Sequence, residues 1–191
     1  MKKILFLSLV ISALTAQAEV FKAKFGLSKL VIDGDSSVHK WKVETKVIGG
    51  FLDVDATALK KPGKVSSKGT VIVPVRQLKS GKKRMDEVMH AAMNEPKHKL
   101  IKFTISTLEV KSIKDDVASC TGGGTIQING VTKPLTMEVN ITNAGDKLTV
   151  EGHTPLKMTS FGIKPPSPKL PTGKIVTKDE IKISFSWVTV K

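Results

Sequence analysis

The side chains able to do nucleophilic, acid–base or metal chemistry are few. Four histidines, His39, His90, His98 and His153, and one cysteine, Cys120, are spread through 191 residues, and tyrosine is absent. No histidines stand in a zinc-type spacing such as H-E-x-x-H. A lone cysteine supplies neither a thiolate pair nor an internal disulfide. The G-x-S-x-G turn that exposes a catalytic serine does not occur. Gly122-Gly123-Gly124 lacks the spacing and the lysine of a phosphate loop. The acids lie among lysines or in turns. Catalysis needs a nucleophile, acid or base in a defined set. None is legible, so the chain reads as a non-enzyme with no metal site and no resident cofactor.

What the sequence does carry is alternation. From Val38 to Val47, His39, Trp41, Val43, Thr45 and Val47 point one way, and Val38, Lys40, Lys42, Glu44 and Lys46 the other. A period of two marks a half-buried strand. The lysine face must be wet, and the tryptophan face looks inward. Asp33 to Ser36 reads as the turn before this strand, and Gly49-Gly50 as a bend after it. His39 falls on the inward side beside Trp41. It reads either as a strand-end histidine near solvent or as a polar group at the mouth of an internal cavity.

The same period recurs along the chain. Val20–Leu27 places Phe21, Ala23, Phe25 and Leu27 on one side against Lys22 and Lys24. Further strands are expected at 50–58, 65–75, around Ile101–Thr107, at 108–113 as a connecting strand, at 117–128 with a bulge at its glycine run, and at 135–141. Leu148–His153 and Glu180–Val190 complete the set. Asn129-Gly130 is a hairpin signal. The Pro-rich stretch from Thr159 to Gly173 has no period and reads as a long loop. Only Leu78–Glu95 changes period: Met85, Val88, Met89, Ala92 and Met93 form one helical stripe, stopped by Pro96. About eight strands, one short helix and mostly hairpin connections predict an all-β fold, an antiparallel β-barrel. A barrel of about eight strands either fills with side chains or holds one small ligand.

The first residues, MKKILFLSLVISALTAQA, have a basic start, an apolar run and a small-x-small end. This is a secretory signal peptide, too short to span a bilayer, with cleavage after Ala18. The expected organisation is a signal peptide at 1–18 and one barrel domain at 19–191, in the periplasm or secreted. Lys+Arg 31 against Asp+Glu 17 give a net charge of +14. For an exported chain the matching anions are lipid headgroups and envelope polymers, not nucleic acid. The charge is compatible with peripheral contact with an anionic membrane surface, and nothing in the pattern opposes a homodimer.

Four patches resemble the YceI-like family. They are Ser36–Phe51 (SSVHKW…VIGGF), Val71–Asn94 followed by IKFTI, the Gly124–Val139 hairpin, and Met158–Pro166 with DEIKISF after it. The resemblance implies a lipocalin-like antiparallel β-barrel with a helical insertion, typically exported from bacteria, in which some members hold a polyisoprenoid chain. Where the commoner family pattern has Arg-Ser-Asp-Phe-Gly-Ile, this chain has Met158-Thr159-Ser160-Phe161-Gly162-Ile163, without that arginine and aspartate. The inward faces and the resemblance together nominate a ligand wall: His39, Trp41, Val43, Met85, Met89, Phe103, Ile105, Met137, Val139, Phe161, Phe185 and Trp187. Its ligand would be an amphiphilic isoprenoid-type lipid, a quinone included, with the headgroup near His39, the Ser160–Lys174 loop and nearby lysines. The competing reading is a structural or stress-related envelope protein with a filled barrel and no specific ligand. The tripartite N-terminus yields a direct expectation: N-terminal sequencing of exported material starts at Glu19, and intact Met1 in a cytoplasmic fraction would contradict it.

Overall fold

The computed structural model describes residues 18–171 and 173–191. Apart from Ala18, the expected leader lies outside the described residues. Strands β1 (Glu19–Ala23), β2 (Lys29–Ser36), β3 (Trp41–Thr45), β4 (Gly49–Val54), β5 (Gly63–Val65) and β6 (Ser67–Pro74) precede the helix α1 (Lys83–Ala92). Four long strands follow: β7 (Leu100–Lys114), β8 (Val117–Ile128), β9 (Val131–Asn143) and β10 (Lys147–Lys157). After the short pair β11 (Lys169–Leu170) and β12 (Gly173–Lys174), the chain returns in β13 (Thr177–Val190).

Hydrogen-bonded neighbours run β1-β4-β6-β7-β8-β9-β10-β13, and β13 pairs back with β1. This closes an antiparallel barrel of eight strands, as the alternation predicts. Hairpin β2–β3 extends the wall on the remaining length of β13. β1 with β2, and β3 with β4, are therefore halves of two broken wall strands. Asn129 and Gly130, both at positive φ, make the tight turn between β8 and β9.

Several local expectations are corrected. The Val20–Leu27 alternation does not survive as one strand. Ala23 faces Thr189 and Lys29 faces Ser186, so Lys24 to Ser28 stand against only Trp187 and Val188. The surplus is extruded, and Phe25 and Leu27 are exposed, not inward. Asp33–Ser36 is not a turn but the end of β2; the reversal falls at 37–40. The Ser36 hydroxyl fastens that reversal by accepting from the Val38 and His39 N–H groups and donating to the His39 carbonyl. Leu108–Ile113 is not a separate strand but the continuation of β7, which bulges at Ser106 and Lys111. The glycine run of β8 lies opposite the first of these bulges, where a Cβ on Gly124 would run into the Thr104 carbonyl.

One end of the barrel is solid. Phe21, Val54, Val110, Cys120, Ile141 and Leu148, each from a different strand, are almost fully buried there. The other end is built differently. β3 has β2 on one edge, but among the described residues its other edge pairs only with Lys79, through Glu44. Helix α1 lies at this end. Asp86 in its first turn accepts from the Ser80 N–H and hydroxyl at 2.7 and 2.6 Å, and His90 Nε2 contacts the Leu78 carbonyl at 3.1 Å. These bonds dock the helix to the chain leading into it.

Trp41 faces Gly34 across the β2–β3 ladder, and its indole occupies the space where any Cβ on Gly34 would stand. Its Nε1–H donates to the Asp35 carbonyl at 3.2 Å. Gly34 is needed for this space, not for a turn. Gly34→Val should expel the ring and break that bond, at a cost of about 1–3 kcal/mol. Urea titration together with tryptophan emission measures both; an unchanged midpoint and spectrum would contradict the seat.

The segment after β10 is tied to β13 by Asp179. Its carboxylate accepts from the Thr159 N–H at 2.8 Å and the Thr159 hydroxyl at 2.6 Å, and the hydroxyl bond is the main reason its pKa is lowered. A lowered pKa means the tether is fully present above the ordinary carboxylate value near 3.8 and is lost as pH falls through the folded value. The melting-temperature gap between the native chain and Asp179→Asn should therefore be constant at neutral pH and shrink below pH 3.8. A gap that stays constant through pH 2 would show that the carboxylate charge does not matter.

Candidate ligand-binding cavity

Above the solid end the barrel holds two adjoining cavities of about 360 and 140 Å³. Ile32, Ile101 and Ile183 line both. Around the larger one, β3 contributes Trp41 and Val43, and α1 contributes Met85, Val88, Met89 and Ala92. The turn Met158–Phe161 and the segment after it add Met158, Phe161, Ile163 and Ile175. The inner one is walled by Phe103 and Ile105 from β7, Met137, Val139 and Ile141 from β9, and Phe185 and Trp187 from β13. Strand alternation sends these side chains inward. The aliphatic and aromatic lining explains why both spaces are almost wholly apolar.

All twelve nominated residues lie on these walls. His39, Trp41, Val43, Met85, Met89 and Phe161 border the larger cavity; Phe103, Ile105, Met137, Val139, Phe185 and Trp187 border the inner one. The stripe of α1 faces the cavity, so none of the ten helix residues is fully buried. Sequence reasoning passed over Ile101, Ile181 and Ile183 as site residues although they lay on nominated faces. Met158, Ile163 and Ile175 carried no periodic signal at all.

Polar groups gather at the outer rim. His39 lies in the exposed 37–40 reversal with Nδ1 2.9 Å from the Lys40 carbonyl, yet it borders the larger cavity. It stands in the reversal before β3, not on the inward face of a strand, because β3 begins only at Trp41. Ser36 and Thr177 lie nearby, and Lys82, Arg84, Lys157 and Lys169 complete a lining that contains no aspartate or glutamate among the described residues. Beside it, Lys178 Nζ donates to Asp35 at 2.7 Å, which lowers the Asp35 pKa and raises that of Lys178. The inner cavity has no such rim. Trp187 is buried and its Nε1–H finds no acceptor among the described residues.

Burial, with a smaller contribution from Glu138, pushes the Cys120 thiol up to about 11, so it stays protonated at neutral pH. Among the described residues, no three His, Cys, Asp or Glu side chains gather where they could hold a metal ion. No helix there is long and apolar enough to cross a membrane.

No curated protein matches the sequence. Solved structures share its fold. BcnA of Burkholderia cenocepacia matches with a TM-score of 0.68 at 17% identity, over 87% of this chain and 98% of that one. A polyisoprenoid binding domain from Saccharophagus degradans, implicated in plant cell wall breakdown, gives 0.67 at 9% identity, over 89% and 97%. The YCEI protein of Campylobacter jejuni gives 0.58 at 12% identity, over 100% and 93%. At such identities the likeness is one of fold. The sequence model of the YceI-like domain, however, matches residues 15–189, nearly the whole chain, and the protein therefore belongs to the YceI-like family.

Proposed function

We propose that this protein is an exported carrier that holds an amphiphilic isoprenoid-type lipid, tail inward and headgroup at the rim. The observation that carries this reading is the pair of adjoining apolar cavities, both bordered by Ile32, Ile101 and Ile183. The larger lies within the usual range for small-molecule sites of roughly 300–1,000 Å³. Burying apolar surface yields roughly 25 cal/mol per Å², so a long tail can be held without a single directed bond. Support also comes from the Saccharophagus degradans domain, described as polyisoprenoid binding, with which the chain shares its fold. The N-terminal leader supports export to the periplasm or beyond. The role is one of binding, not catalysis.

The rim residues His39, Ser36, Lys82, Arg84, Lys157 and Lys169 would meet the headgroup. Prenyl quinones, prenyl phosphates and fatty acyl lipids all suit this division of labour. Native mass spectrometry of exported protein, with lipid extraction, separates them. Val139→Trp tests the cavity. Val139 borders the inner cavity of about 140 Å³, so the larger side chain should be accommodated there. The emptied variant should melt near the delipidated parent and hold long-tailed lipid at least tenfold more weakly, about 1.4 kcal/mol. In a solid core the same change would overpack the interior and cost about 1–3 kcal/mol. A destabilised variant, from a parent that never carried lipid, would leave the structural envelope role as the better reading.

A further inference from the structure

Phe25-Gly26-Leu27 serves neither the barrel core nor the cavity. Phe25 is 81% exposed and Leu27 59%. The two side chains gain nothing from folding in this position, and a polar tip would close the same gap. The projection is nonetheless firmly rooted. On one side the Lys24 N–H donates to the Val188 carbonyl at 2.9 Å; on the other the buried Ser28 hydroxyl accepts from the Val188 N–H at 3.0 Å. Gly26, at φ +79°, turns the chain at the tip.

The surroundings extend the apolar tip into a patch. Val20 and Phe51 are also exposed, diagonal neighbours on the outer face of the β1–β4 ladder. Lys22 stands directly across from Phe51, Lys24 adjoins the tip, and the Leu30–Thr45 pairing brings Lys46 to its foot. Among the described residues none of these three lysines is in an ion pair. The nearby acids are engaged: Glu44 with Lys29, Asp53 with Lys68 and Glu19 with Lys191. What remains is two large apolar side chains on a short finger, ringed by unpaired cations.

We propose that this finger docks the protein onto an anionic lipid bilayer. Phe25 and Leu27 enter the boundary between headgroups and acyl chains, and Lys22, Lys24 and Lys46 meet the lipid phosphates. The strongly positive net charge, lowered by only two when Lys2 and Lys3 leave with the leader, supplies the long-range attraction, and the finger makes it local. Phenylalanine and leucine beside lysine suit this boundary, because the lysine stem lies along apolar surface while its ammonium stays in water. The proposal is independent of any cargo in the barrel.

Cosedimentation of the delipidated mature chain with vesicles tests it. The mature chain should bind phosphatidylcholine vesicles containing one third phosphatidylglycerol and bind pure phosphatidylcholine at least tenfold more weakly. Phe25→Ser/Leu27→Ser should lose at least tenfold on the anionic vesicles with an unchanged melting temperature, since neither side chain is packed. Lys22→Gln/Lys24→Gln should lose affinity at low salt and show a flatter salt dependence. Equal binding by the native chain and the serine variant would overturn the proposal, as would no binding of the native chain to anionic vesicles. So would a serine variant that turns a dimer into a monomer in sedimentation equilibrium while keeping its vesicle affinity; the patch would then be an interface between copies.

Discussion

Closure of the barrel rests on β13, which must satisfy two partners in succession along one edge. Its other edge pairs with β10 continuously from Lys157↔Glu180 to Lys147↔Val190. The first edge meets β2 up to Lys29↔Ser186 and then β1 at Ala23↔Thr189 and Lys22↔Val190. A buried main-chain N–H or carbonyl without a partner is costly, so closure has to be complete. Between the two registers the ladder alone does not suffice, and the Ser28 hydroxyl takes the place of a carbonyl at Val188. The surplus residues leave the wall as the finger. The same mismatch parts the β1–β4 and β2–β3 ladders, whose last and first pairs are Lys22↔Phe51 and Leu30↔Thr45.

A barrel closed in this way can separate stability from binding along its axis. Near the closure, inward residues from successive strands meet across a short span and fill it, from Phe21 to Leu148. Toward β3 the wall loses strand pairing, and a helix with three methionines at or near its inner face stands there. Methionine is unbranched and polarizable, so it adapts to irregular apolar shapes. The half-buried state of Met85 and Met89 is what such a wall requires. Tethers at Asp86 and Asp179 hold the helix and the 158–161 turn in place without filling the space they enclose.

Regular strands were legible because their solvent face is polar, whether in lysines or in residues such as Thr136, Glu138 and Asn140, and their inner face is not. β9 and β13 show this best, and all the residues nominated from them reach the cavity walls. The period failed where residues had to be inserted. Phe25 and Leu27 keep the alternation of Phe21 and Ala23 on paper, but five residues opposing two cannot remain in register. Asp33 to Ser36 has turn composition, yet its glycine answers to the Trp41 ring, which lies far enough along the chain to escape a local reading. Met158 and Ile163 enter the site from an aperiodic segment whose position is set by Thr159 and Asp179, residues twenty positions apart.

The distribution of polar groups sets what such a cavity can distinguish. Its deep wall offers an apolar tail contact area and shape but almost no directed bonds, so tail length and branching should govern affinity. The rim cations are largely exposed, and two of them, Arg84 and Lys157, already have carboxylates at 3.9 and 3.7 Å. Screening in salt water reduces the discrimination such charges can provide between headgroups. Trp187 is the exception: a buried N–H without an acceptor costs about 1–3 kcal/mol, and a tail carrying an acceptor near it would recover part of that. On the proposed reading, the protein therefore selects a class of lipid by the size and flexibility of its tail, and the headgroup chiefly determines which end remains outside.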